Sequence, residues 1–361
     1  MMPKRAPTIL LRTMRTNNAQ ANEKKSRYGI RFIILAAAFV VIFCVSLILG
    51  RYSLSLPEIL QVVASKLPGS SVGVTWTEAA EAVLFEIRFP RVAAAALIGA
   101  ALSLAGVCYQ GMFRNPIVSP DILGASTGAG FGASLAIVMS AGYMAICTTS
   151  FAFGLAAVLM AYLVSRLAKG DETLALILGG MVISSLFGAG SSFVKLVADT
   201  QEQLPAITYW LMGSLSSIRK ENIQFIILPM IIGMVPLFLL SWRLNLLTIQ
   251  EESAKSMGIN LKRLRMVVIF CATLLTAVSV SVSGMIGWVG LVIPHFCRMI
   301  FGYDYRRLIP STALFGAAFL LAVDNAARLT LTQEIPLGIL TSVIGAPIFL
   351  YLLIKKGGRR G

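Results

Sequence analysis

RFPRVAAAALIGAALSLAGVCYQGMFRNPIVSPDILGASTGAG, residues 88–130, is the stretch that decides the fold of this chain. Arg88 and Arg91 bracket Phe89 and Pro90, and about twenty small or apolar residues follow, enough to cross a bilayer as a helix. Asn115-Pro116, Ser119-Pro120 and the Gly/Ser-rich run from Gly124 to Gly130 stop that helix and start another. Small residues recur within it (Ala94, Ala95, Gly99, Ala100, Ala101, Ala105, Gly106), which lets neighbouring helices approach closely in lipid. The stretch therefore reads as a helix packed inside a bundle, not a lone anchor.

Composition extends this reading to the whole chain. Of 361 residues, 57% are hydrophobic and 13% charged, with a mean hydropathy of +0.81, outside the range of an ordinary soluble domain. Apolar windows of spanning length fall near 32–50, 89–110, 122–140, 144–165, 173–197, 222–242, 266–285, 308–323 and 336–354. A shorter stretch, 286–301, reads as a tenth span or two half-helices. The expected fold class is all-α: a polytopic membrane protein of about ten transmembrane helices, with no room for a large soluble domain.

The net charge of +15 invites a nucleic-acid reading, but its distribution argues for topology. With a cytoplasmic N-terminus and a change of side at each span, the inner segments hold 23 basic residues against 7 acidic. The outer segments hold 8 against 9. Basic residues concentrate in cytoplasmic loops, so both termini are expected inside and no nucleic-acid partner is expected. Residues 1–31 are basic and polar, which predicts a disordered cytoplasmic tail. Residues 32–356 form the membrane domain, and 357–361 a second cytoplasmic tail. The apolar segment from Phe32 lacks a small-residue cleavage site and reads as an uncleaved first span. Cys44, Cys108, Cys147, Cys271 and Cys297 are scattered through apolar segments without metal spacing, as core residues are.

Three connections stand out. The outer loop from Arg51 to Phe89 mixes Pro57, Pro68, Gly69 and Gly73 with short amphipathic pieces. Residues 199–221 contain a TYWLMGSLSS run that resembles an interfacial helix with Tyr209 and Trp210 at headgroup depth. The inner loop RLNLLTIQEESAKSMGINLKRLR, residues 243–265, carries two acids and a lysine, and Gly258 ends its helical pattern. Its segment at about 249–262 is a candidate docking site for a soluble partner. The broken stretches Asn115–Gly130 and Gly284–Gly302 hint at an inverted repeat, as in many transporters.

Catalytic chemistry is missing from the pattern. The chain has no GxxxxGK[ST] phosphate loop and a single histidine, His295, so nucleotide hydrolysis and histidine metal chemistry are not expected. No catalytic, cofactor-binding or metal-ligating residue is assigned. Asp324 is the main acidic candidate within a span, with Arg328 one turn later on the same face. A proton- or sodium-coupled carrier needs more than that. The energy source is expected to be another protein, and a secondary transporter is the rival class.

The residues then resemble a known family. Arg88-Phe89-Pro90-Arg91, Gly99-Ala100, Gly106, Gln110, Asn115-Pro116, Pro120, Leu123-Gly124 and Gly128-Ala129 are similar to the FecCD-type permeases, membrane subunits of ABC importers for iron–siderophore complexes, haem and cobalamin. The second half agrees: GMIGWVGLVIPH from Gly284 to His295, Arg298, GYDYRR from Gly302 to Arg307, Asp324, Arg328, EIPLG from Glu334 to Gly338 and Gly345-Ala346-Pro347. The likeness covers roughly residues 30–356. Trp288 stands where a Phe is usual, and Tyr305 where a His is common.

This resemblance implies the cobalamin/siderophore-importer permease fold in a cell-membrane subunit that is not itself an enzyme. It implies a second permease subunit (homodimer or heterodimer), two ATP-binding cassette subunits and an extracytoplasmic binding protein. The cargo would be a metal chelate, a ferric siderophore first, with haem or cobalamin as alternatives. Arg88, Arg91 and Arg328 would meet acids of the binding protein; the competing readings are interfacial anchoring for the first two and pairing with Asp324 for Arg328. Glu251, Glu252, Ala254, Met257 and Gly258 would couple to the ATPase. Gln110, Asn115, Pro116, Pro294, His295 and Asp324 are expected in structural or path-lining roles.

Overall fold

The computed structural model describes the backbone of residues 6–50, 52, 54–66, 76–168, 170–248 and 260–357. Side chains are described from Arg27 within those ranges, up to Tyr351 and at Ile354. The described residues are helical, with no strand among them. Seven of their helices are long and apolar enough to cross a membrane, and three shorter apolar ones at 125–138, 289–301 and 337–351 bring the bundle to ten. The candidate coupling residues Glu251, Glu252, Ala254, Met257 and Gly258 lie outside the described residues.

Helix α1 (Ala6–Ile48) begins well before the apolar run. The basic tail, expected to be disordered, is thus helical from Ala6. Its Leu, Met, Arg, Gln, Glu and Lys residues are good helix formers, and they prolong a helix whose nucleation the span has already achieved. A short helix, α2 (Leu56–Ser65), starts with a capping box: Ser55 accepts from the Glu58 amide while Glu58 accepts from the Ser55 amide at 2.8 Å.

The deciding stretch belongs to α3 (Glu78–Met112). The second half of the predicted outer loop is therefore the first turns of this helix. A π-helical turn, Val83–Arg88, interrupts it just before Pro90. Proline lacks a donor and its ring crowds the carbonyl four residues back, so the wider turn sits where an α-turn is disfavoured. Nearly every residue of α3 from Pro90 to Met112 is buried.

A Pro120–Leu123 turn leads through Gly124 (φ +86°) into α4 (Ala125–Val138). Then follow α5 (Tyr143–Leu167), α6 (Glu172–Val197) and α7 (Gln203–Met212). The α7 span begins before the TYWLMGSLSS run and ends inside it, at Gly213. The second half continues with α8 (Lys220–Leu239), α9 (Ser241–Leu247) and α10 (Leu261–Ser283). It closes with α11 (Val289–Phe301), α12 (Tyr305–Leu329) and α13 (Leu337–Gly357).

Burial sorts these helices. α3 and α10 are the most enclosed, whereas α1, α5, α6 and α8 turn large apolar side chains outward, such as Ile33, Leu163, Leu186 and Leu228. An apolar exterior over a small-residue interior is the arrangement a lipid solvent permits. The segment 286–301 resolves as an extended break, Gly284–Trp288, and one short helix, α11, not two half-helices. Thirteen residues cover about 20 Å, less than the roughly 30 Å hydrocarbon core. Its irregular backbone is tolerated because it is enclosed by protein.

Candidate functional site

At one end of the bundle, α1 finishes beside the start of α3 and the end of α12. Arg91 reaches Asp324 from Nε (3.0 Å) and Nη2 (2.8 Å), and forks onto Glu334 from Nη1 and Nη2, each at 2.9 Å. Arg328 Nε stands 3.1 Å from Asp324 Oδ2, one turn along α12. Two cations and two carboxylates form one neutral cluster, with Asp324 fully buried. Such pairs are tolerated in low dielectric only when each remaining donor is also met.

The other donors of this group close the end of α1. Arg88 Nη1 donates to Leu47 O (2.7 Å) and Ile48 O (2.8 Å), and Nη2 to Tyr52 O. Arg328 donates to Ser46 O and Leu49 O, each at 3.3 Å, and to Asn325 Oδ1. The last carbonyls of a helix have no partner of their own and carry its negative dipole end, so guanidinium groups suit them. Arg88 and Arg328 thereby cap the first span. All three arginines are below 9% exposed within this chain.

A second cluster lies further along α3. Gln110 Nε2 donates to the carbonyls of Val118 (3.2 Å), Gly290 (3.3 Å) and Leu291 (3.3 Å), while its Oε1 accepts from Arg298 Nη1 at 2.6 Å. Buried and committed on both ends of its amide, Gln110 ties α3 to α11 and to the turn after α3. In that turn Asn115 Oδ1 accepts from Ile117 N (3.0 Å), and Arg114 takes a positive φ of +50°. Asn115 and Pro116 are exposed at the end of the bundle. Pro294 is buried inside α11, with His295 half-buried beside it.

Helix crossings in this region rest on bare backbone. A Cβ on Gly106 would lie 1.8 Å from Gly290 O, and one on Gly99 would lie 2.2 Å from Gly316 O. Only glycine lets α3 approach α11 and α12 so closely. The break before α11 joins two other loops: Ser214 N donates to Ser283 O and Leu337 N to Gly213 O, each at 2.8 Å. Trp288 ends it at φ +69°, a strained value for a bulky residue, with its ring edge-on to Phe349.

The sequence reading paired Arg328 with Asp324 as one alternative. It named Glu334 and Arg298 only as part of the family pattern, without a role, and missed the α1 carbonyls. Glu334 carried a usable signal, an acid two residues before Pro336 on the side where basic residues are expected to be scarce; the carbonyls carried none. Among the described residues no three His, Cys, Asp or Glu converge as metal ligands.

A bundle of ten apolar helices, one of the shorter ones preceded by an enclosed extended break, with an ion cluster at one end, is the build of a membrane transport subunit. Residues 38–355 match the model of the FecCD transport family, and the chain belongs to this family of ABC transporter permeases. It is 41% identical over 326 residues to the molybdate import system permease protein of Haemophilus influenzae, covering 90% of this chain and 96% of that protein. It is 39% identical to the "Probable iron chelatin transport system permease protein" of Helicobacter pylori strain 26695, covering 90% and 98%. A solved ABC transporter ascribed to the metal-chelate type, in an inward-facing conformation, superimposes with a TM-score of 0.80 at 40% identity, covering 90% of this chain and 98% of that one.

Proposed function

We propose that this chain is the membrane-spanning subunit of an importer for a metal chelate, with a ferric siderophore as cargo. It works with a second permease copy or a similar chain, two ATP-binding cassette subunits and an extracytoplasmic binding protein. Both termini are cytoplasmic. The observation that carries the reading is the likeness to the iron chelatin permease, 39% identical over 324 residues that take in 90% of this chain and 98% of that one. ATP hydrolysis belongs to the partner subunits, and this chain supplies alternating access.

In this reading Glu251 to Gly258 form the coupling lever. Charge reversal at Glu251 and Glu252, or Gly258→Pro, abolishes ATPase binding or substrate-stimulated turnover; survival of both under both changes refutes the lever. Arg88, Arg91 and Arg328 take part in docking the binding protein. Arg91 is reached by replacement of Glu334, the more open of its two carboxylate partners at 24% side-chain exposure against 0% for Asp324.

A second reading, an oxyanion such as molybdate as cargo, is favoured by the likeness to the molybdate permease; haem and cobalamin remain the other chelate cargoes. The test is uptake into vesicles holding the permease with its ATPase and binding protein. Labelled ferric siderophore enters with ATP, and molybdate does not compete. Molybdate uptake selects the second reading, and gradient-driven uptake without ATPase refutes the importer assignment altogether.

A further inference from the structure

At the end of the bundle opposite the Arg91 cluster, a cavity of about 340 Å³ opens between the ends of α3, α5, α6 and α10. Arg166, Lys262 and Arg265 line it, against one carboxylate, Glu172. Glu172 meets Lys262 at 3.4 Å with both side chains more than half exposed, a weak contact in water. Asp171, whose charge Arg265 also feels, accepts from the amides of Thr173 (2.7 Å) and Leu174 (3.1 Å) at the start of α6. The Nε of Arg265 is buried with no hydrogen-bond partner. A guanidinium N–H withdrawn from water without an acceptor is unfavourable, and an anion oxygen in the cavity would satisfy it.

The two helices that carry the cavity's cations also bear exposed apolar side chains, of which Met266 lines the cavity itself. Leu163 and Leu167 on α5 are 53% and 84% exposed, and Met266 and Phe270 on α10 are 42% and 58% exposed. Although α10 is enclosed along most of its length, its first turns leave Met266 and Phe270 open, beside the outward-facing α5. A cationic recess beside an apolar wall has the outline of a phospholipid: a phosphate at one end and acyl chains along the other. Basic recesses between transmembrane helices at headgroup depth suit anionic headgroups.

We infer that this cavity is a binding site for the phosphate headgroup of an anionic phospholipid, held by Arg166, Lys262 and Arg265 with its chains along α5 and α10. Arg166 and Arg265 lie outside the translocation and docking roles proposed above, and Lys262 stands at the last position of the candidate coupling segment. The proposed orientation only names its leaflet as the cytoplasmic one.

The full-length chain in nanodiscs of phosphatidylcholine, with phosphatidylglycerol added in steps, tests this by native mass spectrometry of retained lipid and by the thermal midpoint. Phosphatidylglycerol is expected to be retained and to raise the midpoint, while phosphatidylcholine is not. Each of Arg166→Gln, Lys262→Gln and Arg265→Gln should weaken retention roughly fivefold, the effect of one basic side chain at an anionic surface. Arg166 and Lys262 are exposed, so their single variants decide the matter if the triple variant does not fold. Equal retention of the two lipids overturns the inference. So does an equal effect of inorganic phosphate, which would assign the cavity to a soluble anion. A triple variant that loses ATPase binding while keeping its lipid also overturns it, by making the cavity a protein contact.

Discussion

Arg91 and Asp324 stand 233 residues apart in the chain and meet inside the protein through hydrogen bonds of 2.8–3.3 Å. The pair joins α3, just past its π turn, to the last turns of α12 and holds Arg328 and Glu334 around it. Removing one member of a buried ion group leaves its partners charged and unmatched, at about 3–5 kcal/mol. Asp324→Asn is therefore expected to lower thermal stability in detergent severely, because it leaves two buried arginines with Glu334 as the one remaining carboxylate of the cluster. Asp324→Asn combined with Arg91→Gln should recover part of the loss, and a double-mutant cycle reads the coupling. Additive effects would show that the two residues act independently.

Arg88 caps the end of α1 through the carbonyls of Leu47 and Ile48. Arg88→Gln should cost about 1–3 kcal/mol, the penalty of buried acceptors left without partners. Arg88→Lys should cost less than Gln if charge at the helix end dominates, and as much if the fork geometry does. Thermal midpoints of the two variants separate these terms.

The contact between Gly106 and Gly290 sets the distance between α3 and α11. A methyl group at Gly106 would overlap the Gly290 carbonyl at 1.8 Å, and the obstacle is backbone, which cannot step aside. Gly106→Ala is expected to prevent accumulation of folded protein in the membrane. Gly142→Ala serves as the control, since a Cβ there meets nothing within 4 Å. Equal yields of the two variants would contradict the close crossing.

Gln110 satisfies three carbonyls and one arginine at once. Gln110→Leu leaves all of them without this partner and should lower stability by about 1–3 kcal/mol. Gln110→Glu keeps an acceptor for Arg298 and should retain more of it. A variant that folds normally yet changes cargo preference would place Gln110 in the path instead.

Docking of a binding protein at Arg91 predicts opposite signs for two neighbouring changes. Glu334→Gln removes the charge that competes for Arg91 and should speed association, while Arg91→Gln should slow it, each by roughly threefold to tenfold at low salt. Surface plasmon resonance with the cognate binding protein measures both. Slowing by Glu334→Gln would mean that the acid supports the surface and does not compete there.

The spans were legible from residues alone because hydrocarbon imposes a simple demand: about twenty apolar residues with every backbone group bonded within the helix. The Gly/Ala pattern of residues 94–106 likewise announced close helix crossings, and the proline and glycine pairs announced the turns. What composition could not reveal was the identity of the neighbours. Arg91 looks the same in sequence whether it faces water, a partner or Asp324, and the choice depends on where α12 packs and where Glu334 is brought round. Only the assembled bundle settles that Arg88 and Arg328 close α1, that Gln110 clasps α11, and that a π turn precedes Pro90. Local sequence encodes the solvent each segment requires, whereas ion pairs and shared carbonyls arise from distances between helices far apart in the chain.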